Sequence, residues 1–188
     1  MAAYTLLDTA SAVKQLRTGH VIAYPTEAVF GLGCDPTNES AVRDLLSLKD
    51  RPESAGLVLI ASGFSQLQPW VADIGESLKT RAMQAWPGPI TWLFPRATTV
   101  PDYVAGKHDT IAVRITAHVP SRKLCEAFGS ALISTSANPT AEQPARSAEE
   151  VHEYFGAQIH GILAGQLGTS GKPSEIRDLV SGNIIRQG

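Results

Sequence analysis

Two short polar strings carry the residue types best suited to chemistry in this 188-residue chain: Lys49-Asp50-Arg51-Pro52 and Ser134-Thr135-Ser136-Ala137-Asn138-Pro139. In the first string, a lysine and an arginine two residues apart supply fixed positive charge and a fork of donors suited to phosphate or carboxylate. In the second, two hydroxyls and an amide at alternate positions lie on one side of an extended segment, where they can bind a small polar ligand. Together the strings predict an anion-binding cleft.

Other polar side chains follow predicted strands or lie in adjoining loops. They are Thr26, Thr91, Thr110, Arg114, Ser174 and Arg186. Taken singly, each is equally typical of a helix cap, a turn or a solvated charge. Arg114 is the exception, because it interrupts the apolar strand 111–115 and needs a partner if it is buried. Open α/β sheets bind ligands at strand ends and in adjoining loops, so the set as a whole favours a binding site.

The common catalytic motifs are incomplete in this chain. The string from Gly168 to Lys172 looks like a phosphate-binding loop, but the full pattern needs a glycine at 166 and a serine or threonine at 173. We interpret it as a flexible glycine loop. Gly31-Leu32-Gly33 lacks the third glycine of a dinucleotide fingerprint. The two cysteines have no metal-ligand or disulfide spacing, and the five histidines are scattered. No protein-bound metal is therefore predicted.

Hydrophobic periodicity predicts alternating helices and strands that would position these residues. Helices are expected at 8–18, from residue 39 to near 49, within 64–86, at 121–128, and from the capping box at Ser147 to residue 155. Strands are expected at 20–24, 56–61, 90–94, 110–115 and 131–135. The last two strands, 175–180 and 184–187, read as a β-hairpin. Crossover helices together with a hairpin favour one α/β domain over residues 1–188, with a mixed sheet.

Composition narrows the class of protein further. Apolar residues make up 43% of the chain and charged residues 18%, which is typical of a folded domain and not of a disordered one. A net charge of −2 argues against coating nucleic acid by bulk charge. The longest apolar run, 57–61, is too short to span a bilayer, and the N-terminal stretch does not resemble a signal peptide. These features predict a cytoplasmic protein with no membrane association.

Six strings, taken in order along almost the whole chain, resemble the YrdC/TsaC family. They are Tyr24-Pro-Thr-Glu-Ala-Val-Phe-Gly-Leu-Gly-Cys34, Lys49-Asp-Arg-Pro52, Trp86-Pro-Gly-Pro-Ile-Thr91, Asp109-Thr-Ile-Ala-Val-Arg114, Ser134-Thr-Ser-Ala-Asn138 and Pro173-Ser-Glu-Ile-Arg-Asp178. Each string alone is weak evidence for the family, but the six strings in this order are strong evidence. The resemblance implies a twisted mixed sheet with flanking helices and a concave, positively charged cleft. It also implies the short, single-domain bacterial form.

The resemblance implies synthesis of threonylcarbamoyl-AMP from L-threonine, bicarbonate and ATP, with Mg²⁺ bound through the phosphates. This is the first step of the t6A modification of tRNA, which implies partner proteins of that pathway. In the implied chemistry, the carbamate of threonine attacks the α-phosphate and pyrophosphate leaves. Such a reaction depends on positioning and charge neutralisation rather than on a covalent nucleophile, which fits the incomplete catalytic motifs.

The resemblance also implies roles for individual residues. Lys49 and Arg51 would hold the triphosphate and act as the catalytic cations. Contacts to ATP are also implied for Thr91, Thr110, Ser136, Asn138 and Arg186. Arg114 would pair with the threonine carboxylate. Thr26, Ser134 and Ser174 would complete the amino-acid site.

The chain departs from many relatives at Ala28, where they have threonine, and near Ile60, where they have histidine. Thr140-Ala141 also replaces a Ser-Gly of the long forms. These departures concern the threonine side of the implied site. Two other functions stay open at this stage. One is an RNA-binding module of the same fold, with Lys107, His108, Arg122, Lys123 and Arg81 as backbone contacts. The other, weaker one is a carbamoyl-phosphate-handling accessory domain, like that of hydrogenase-maturation proteins.

Overall fold

The computed structural model describes residues 4–188, and within them ten strands form one mixed sheet. In chain order they are β1 (Leu6–Leu7), β2 (Ile22–Pro25), β3 (Phe30–Gly33), β4 (Val58–Ala61), β5 (Ile90–Pro95), β6 (Thr110–Ile115), β7 (Leu132–Ser136), β8 (Ile162–Leu163), β9 (Glu175–Asp178) and β10 (Ile184–Arg186). Their order across the sheet is β1-β8-β2-β3-β7-β4-β6-β5-β9-β10. Parallel pairs, such as β4 with β6, alternate with antiparallel pairs, such as β4 with β7.

Within residues 4–188, seven α-helices flank the sheet. They are α1 (Thr9–Arg17), α2 (Glu39–Leu48), α3 (Phe64–Leu67), α4 (Gly75–Ala85), α5 (Asp102–Ala105), α6 (Val119–Phe128) and α7 (Ala148–Phe155). The caps follow the sequence: the side chains of Asp8, Asn38 and Ser147 accept hydrogen bonds from backbone N–H groups in the first turns of α1, α2 and α7. Gly129 ends α6 in the left-handed conformation, which glycine adopts without steric cost. None of the helices within residues 4–188 combines the length and apolarity needed to cross a bilayer.

The two faces of the sheet are covered unequally, and this creates the site. One face packs its alternate residues, for example Leu59 and Ile133, into the larger core with α2, α4 and α7. On the other face, Ile60 and Leu132 pack with α1 and α6 in a smaller core. Further along β4 and β7 on that same face, a cavity takes the place of the helical cover.

Most predicted elements are confirmed, with shifted ends. Strand β6 and the β9–β10 hairpin form where the sequence predicts them. The helical stretch predicted within 64–86 divides into α3, a 3₁₀ turn at Gln68–Trp70, and α4. The strand predicted at 20–24 forms as β2 but extends to Pro25, which is paired with Phe30. Strands β1, β3 and β8 and the short helix α5 were not predicted. The single sheet supports the expectation of one domain, which stays a prediction.

Candidate active site

A cavity of about 380 Å³ opens on the sheet face that carries α1 and α6, over the part that these helices leave uncovered. Eight of the eleven residues that the sequence predicted for the site line it. They are Thr26, Arg51, Thr110, Arg114, Ser134, Ser136, Ser174 and Arg186. The structure thus brings together residues that are up to 160 positions apart, from Thr26 to Arg186.

Strand register explains why these residues share one wall. Val58 of β4 is paired with Ser134 of β7 on one side and with Ala112 of β6 on the other. Paired residues project to the same face, and so do residues two positions apart, which adds Thr110, Arg114 and Ser136. Ser136 is in turn paired with Gly31 of β3. A Cβ at position 31 would lie 3.3 Å from both the Thr135 carbonyl oxygen and the Thr26 methyl group, so a larger residue would crowd this part of the wall.

Positive charge dominates the cavity wall. The cavity wall formed by residues 4–188 contains the cations Arg51, Arg114, Lys172 and Arg186, and Glu27 is the one carboxylate among these lining residues. Burial lowers the pKa of Arg51, and repulsion by Arg186 adds to this effect. Burial likewise lowers the pKa of Arg186, with Arg114 as the repelling neighbour. The positive charges of these arginines therefore repel one another, and an anion bound in the cavity would offset this repulsion.

Two of these arginines carry donors without an acceptor. The Nε atoms of Arg51 and Arg114 are buried and have no hydrogen-bond partner among residues 4–188. Arg51 donates through Nη2 to the carbonyl oxygen of Gly56 (2.9 Å), which fixes its guanidinium on the cavity wall. A buried N–H that lacks a partner costs free energy, and groups of this kind concentrate at functional sites. Both arginines are thus prepared for an anionic ligand.

Lys49 departs from the expectation that it holds the triphosphate. Its ammonium donates to the carbonyl oxygens of Ser136 (2.6 Å) and Asn138 (2.7 Å), and the residue is not part of the cavity wall. Burial, with repulsion by Arg51, lowers the pKa of Lys49 to about 8. The two polar strings are therefore joined directly to each other. Lys49 thus contacts the second string and does not face it across the cavity, and the contact of Lys49 with the triphosphate stays a prediction.

Asn138 and Thr91 also lie behind the cavity wall. The Asn138 amide donates to the carbonyl oxygens of Pro139 and Glu142, at 2.9 Å each, and thereby shapes the turn after β7. The fully buried Thr91 hydroxyl lies 2.9 Å from the Ser174 hydroxyl, which does line the cavity. The structure therefore gives Asn138 and Thr91 supporting positions, where direct contact with ATP was predicted.

Thr140 strengthens the connection between the two strings. Its hydroxyl donates to the carbonyl oxygen of Lys49 (2.5 Å). The residues next to this contact, Asp50 (φ 46°) and Ala141 (φ 70°), are the non-glycine residues with positive φ among residues 4–188. Backbone strain of this kind persists where surrounding contacts enforce it, and it is frequent at functional sites.

Glu27 is a site residue to which the sequence gave no role. Its carboxylate accepts hydrogen bonds from Arg114 Nη1 (2.9 Å) and from the Thr116 hydroxyl (2.7 Å). Burial alone would raise the pKa of Glu27, but Arg114, Thr116 and the neighbouring His118 hold it below its usual range. The partner that a buried Arg114 was expected to need is thus Glu27. The signal was available, because Glu27 directly follows Thr26 in a string that resembles the family.

The segment between β8 and β9, residues 164–174, contains the string Gly168–Lys172, which we interpret from the sequence as a flexible glycine loop. In the structure it borders the cavity through Ser170, Lys172, Pro173 and Ser174, and we call it the strap. Backbone hydrogen bonds from Gly168 N to Thr26 O (2.9 Å) and from Ser170 N to Glu27 O (3.1 Å) attach the middle of the strap to the turn after β2. The glycines and the lysine in this string were the available signal, but only the fold shows which cavity they border.

A resident metal ion does not fit the side chains of this site. Residues 4–188 contain no cluster of three or more histidine, cysteine, aspartate or glutamate side chains that could hold one. The lining carboxylate, Glu27, uses both oxygens for Arg114 and Thr116. Mg²⁺ prefers oxygen ligands, and this site has no carboxylate oxygen free to bind it among residues 4–188.

Comparison with known proteins identifies the family. The family model "Sua5_yciO_yrdC: Telomere recombination" matches residues 14–188. This chain belongs to the Sua5/YciO/YrdC family. The threonylcarbamoyl-AMP synthase of Halorhodospira halophila is 51% identical over 94% of this chain and 92% of its own length. That of Sodalis glossinidius is 48% identical over 96% of each chain.

A solved structure supports the same fold. The crystal structure of P. abyssi Sua5 complexed with L-threonine superposes with a TM-score of 0.84, at 34% identity over 90% of this chain. This chain spans 50% of the length of that Sua5 chain. The mixed α/β fold with one twisted sheet and flanking helices is thus shared with Sua5. That agrees with the fold class predicted from the sequence.

Proposed function

We propose that this protein is an L-threonylcarbamoyladenylate synthase, which converts L-threonine, bicarbonate and ATP to threonylcarbamoyl-AMP and pyrophosphate. The observation that carries the proposal is the cavity wall, where three arginines and a lysine face a single, already paired carboxylate. A site of this kind suits a polyphosphate together with a carboxylate. The activity named for the relatives supports the proposal. In class terms the reaction is nucleotidyl transfer, because AMP moves from ATP to a carbamate oxygen.

On the nucleotide side, we assign the phosphates to Arg51 and Arg186. Both line the cavity, and Arg186 Nη2 donates to Ser174 O (3.1 Å), which holds its guanidinium at the wall. Thr110 and Ser136 supply hydroxyls on the same face of the sheet. As pyrophosphate leaves, the negative charge that develops on it is stabilised by these fixed cations, which need no reorganisation at that moment.

On the amino-acid side, Arg114 binds the threonine carboxylate. It is 8% exposed and has a buried Nε without an internal partner among the described residues. The hydroxyls of Ser134, Ser174 and Thr26 line the cavity around it. The Thr26 hydroxyl donates to Val29 O (2.6 Å), so its oxygen is oriented by the turn between β2 and β3. Together these groups would orient the amino acid toward the nucleotide.

The chemistry needs two balanced steps. The threonine amine attacks the carbon of bicarbonate, or of CO₂ formed from it, and gives a carbamate with loss of water. A carbamate oxygen then attacks the α-phosphorus, the bond to the β-phosphate oxygen breaks, and pyrophosphate leaves. No side chain has to form a covalent bond, so positioning and charge supply the catalysis. Since a carbamate is unstable in water, the partly enclosed cavity favours the second step.

Lys49, Asn138 and Thr91 take supporting roles in this proposal. Lys49 holds the carbonyls of residues 136 and 138, and Thr91 contacts the Ser174 hydroxyl. We propose that Mg²⁺ enters as part of MgATP, coordinated by phosphate oxygens and water. We further propose that the reaction takes place in the cytoplasm. There its product would pass to partner proteins of the t6A pathway, which transfer the threonylcarbamoyl group to tRNA.

No specific observation favours an RNA-binding function. Two of the cations expected to contact RNA are engaged within the chain. Arg81 donates to the carbonyl oxygens of Leu179 (2.8 Å) and Val180 (3.0 Å), and Arg122 pairs with Glu126 (3.1 Å). Arg81 is thus less available for backbone phosphates, whereas the exposed Arg122–Glu126 pair is a weak contact that solvent screens.

Pyrophosphate release from MgATP tests the proposed function directly. The purified protein is assayed with L-threonine and bicarbonate together and with each omitted in turn. We expect release to require both, and we expect a product that carries threonine, one carbon from bicarbonate and AMP. Release that is unchanged without threonine would overturn the proposal.

A matched pair of variants connects the activity to the cavity. Arg51→Gln should lower the rate at least about tenfold, which is about 1.4 kcal/mol of transition-state stabilisation. Arg43→Gln removes an exposed arginine whose partners, Glu39 and Glu53, lie outside the cavity, and it should leave the rate unchanged. Equal losses in the two variants would contradict the placement of the phosphates at Arg51.

A further inference from the structure

Glu27 lies at a junction between the amino-acid side of the cavity and the strap. Its carboxylate is 16% exposed, and both oxygens are occupied: Oε2 by Arg114 Nη1 (2.9 Å) and Oε1 by the Thr116 hydroxyl (2.7 Å). The Thr116 oxygen in turn accepts from the backbone N–H of His118 (3.1 Å). With both oxygens engaged, this carboxylate is poorly placed to accept a proton or to bind a second cation.

The contact with Glu27 determines how Arg114 presents its donors. A guanidinium is planar, and its five N–H groups form a rigid fork. When Nη1 is held by Glu27, rotation of that plane is restricted, and Nε stays buried without an acceptor among residues 4–188. Bidentate binding of a carboxylate depends on this orientation as well as on charge. Glu27 can thus control carboxylate binding without touching the ligand.

The backbone of the same residue anchors the strap. Glu27 O accepts from Ser170 N (3.1 Å), and Thr26 O accepts from Gly168 N (2.9 Å). Beyond these anchor points, the strap contributes Lys172 and Ser174 to the cavity wall. Arg114 and the strap therefore share one point of attachment, and the orientation of one is linked to the placement of the other.

We propose that Glu27 is a positioning residue for amino-acid recognition. It orients the Arg114 guanidinium so that a substrate with a free α-carboxylate is favoured over one without. This inference rests on the proposed function, since Arg114 is taken there as the carboxylate-binding group. Beyond the proposed function, it names Glu27 as the residue that makes Arg114 select a carboxylate over other polar groups.

Charge and orientation predict opposite effects at this position. If charge decided binding, removal of Glu27 would leave Arg114 unneutralised and strengthen carboxylate binding. If orientation decides binding, removal of Glu27 lets the Arg114 guanidinium rotate and weakens carboxylate binding. The sign of the effect therefore separates the two explanations, and the proposal commits to the second.

The test compares L-threonine with L-threoninamide, which lacks the carboxylate, in the pyrophosphate-release assay. For Glu27→Gln, which keeps the shape of the side chain, we expect the preference for threonine in kcat/KM to fall at least about tenfold. The KM for threonine should rise, and the KM for MgATP should change less than about twofold. Asp102→Asn removes the carboxylate of another arginine pair, Arg96–Asp102 (2.8 Å), outside the cavity, and should leave the preference unchanged.

Thr116 provides a second test that keeps the charge of Glu27. Thr116→Val removes the hydroxyl that holds Oε1, whereas Thr116→Ser retains a hydroxyl. We expect the valine variant to lose part of the preference for threonine and the serine variant to keep it. If Glu27→Gln does not fold, as judged by its thermal midpoint, the Thr116 pair decides.

The outcomes separate this inference from the proposed function. A wild-type enzyme that needs threonine and prefers it to threoninamide, with a Glu27→Gln variant that retains the preference or binds threonine more tightly, overturns the inference alone. A wild-type protein that releases pyrophosphate without threonine overturns the proposed function as well. Equal loss with both substrates shows a general structural effect and also contradicts the inference.

Discussion

The Lys49 ammonium nitrogen lies 2.6 Å from the carbonyl oxygen of Ser136, and 2.7 Å from that of Asn138. This contact joins the end of α2 to the end of β7, between Arg51 on one side and the hydroxyls of β7 on the other. The cation therefore acts on the backbone that carries the site. Because Lys49 is 5% exposed, loss of its ammonium would leave the Asn138 carbonyl oxygen without this donor, while Ser136 O would keep the N–H of Asn138 (3.0 Å).

Lys49→Met should lower both stability and activity. We expect the free energy of unfolding in urea to fall by about 1–3 kcal/mol, the typical cost of unsatisfied buried polar groups. Pyrophosphate release should fall at least about tenfold, because Arg51 and Ser136 lose their common support. Lys123→Met, at an exposed position of α6, is the control and should change neither. Lost activity with unchanged stability would instead favour direct contact between Lys49 and the phosphates.

The lowered pKa of Lys49 predicts a pH dependence of stability. Burial and Arg51 lower the pKa of this lysine from 10.5 to about 8, so the folded state disfavours the ammonium form. That cost is present in full below about pH 8 and is relieved as the pH rises toward the pKa of the unfolded chain. Between pH 8 and pH 10.5 the unfolded state binds more protons than the folded state. The wild type should therefore gain stability relative to Lys49→Met as the pH rises through this range.

Urea unfolding of both proteins from pH 7 to 10 measures this difference, since all other titrating groups are shared. The difference in unfolding free energy should grow by at most about 1.4 kcal/mol per pH unit above pH 8. A difference that stays constant over this range would show that the folded protein does not disfavour the Lys49 ammonium.

The arginine cluster predicts variants that lose activity without losing stability. Burial lowers the pKa of Arg51, and repulsion by Arg186 lowers it further, so both arginines are held at a cost in the folded state. Arg186→Gln should therefore leave the melting temperature unchanged or raise it, while pyrophosphate release falls at least about tenfold. Arg177→Gln, on the neighbouring strand β9, removes an arginine that pairs with Glu175 and is the matched comparison. If Arg186→Gln melts well below the wild type, the guanidinium stabilises the fold and the repulsion is unimportant.

Polyanions should stabilise the protein for the same reason. MgATP or pyrophosphate at 100 times its dissociation constant should add about 2.7 kcal/mol to the free energy of unfolding, by mass action. The gain in melting temperature at fixed ligand concentration should shrink as salt is raised, because the contacts are charged and partly exposed. Adenosine, which lacks phosphates, is the control ligand. A gain from adenosine equal to that from ATP would place the main binding energy away from the arginines.

The sequence predicts this site well wherever local pattern determines which way a side chain points. Thr110 and Arg114 occupy alternate positions of a strand that forms as predicted, so both project to the cavity face. Ser134 and Ser136 follow the same rule on β7. Lys49 could not be assigned in this way. Its direction depends on the distance between α2 and β7, which is set by packing across the sheet and not by local spacing.

The roles of two glycines in β3 also could not be predicted from the local sequence. Gly31 and Gly33 do not belong to a dinucleotide fingerprint, and the sequence gives them no other role, but packing explains Gly33. A Cβ at position 33 would lie 2.4 Å from the carbonyl oxygen of Ile133 and 2.6 Å from the ring of Tyr24. Strand β3, which contains both glycines, was not predicted, because glycine-rich sequence seldom forms strands. Only its pairing with β2 and β7 shows why it does so here.

The strap offers a test in which two glycines of one segment serve as each other's control. A Cβ at Gly168 would lie 2.7 Å from the Glu27 carbonyl oxygen and 2.9 Å from its Cα, both backbone atoms. A Cβ at Gly171 would meet no atom of residues 4–188 within 4 Å. Gly168→Ala must therefore displace the strap and break its hydrogen bonds to residues 26 and 27, whereas Gly171→Ala leaves them intact.

For Gly168→Ala we expect kcat/KM to fall about tenfold or more, because Lys172 and Ser174 move away from the cavity wall. Gly171→Ala should stay within about twofold of the wild type. Thermal melting of both variants shows whether the fold is kept, and Gly33→Ala provides the comparison for damage to the core, at about 1–3 kcal/mol. If Gly168→Ala and Gly171→Ala have equal activity, the strap does not contribute to catalysis. If Gly168→Ala alone is impaired at a melting temperature near that of the wild type, its contacts with residues 26 and 27 serve the site rather than the fold.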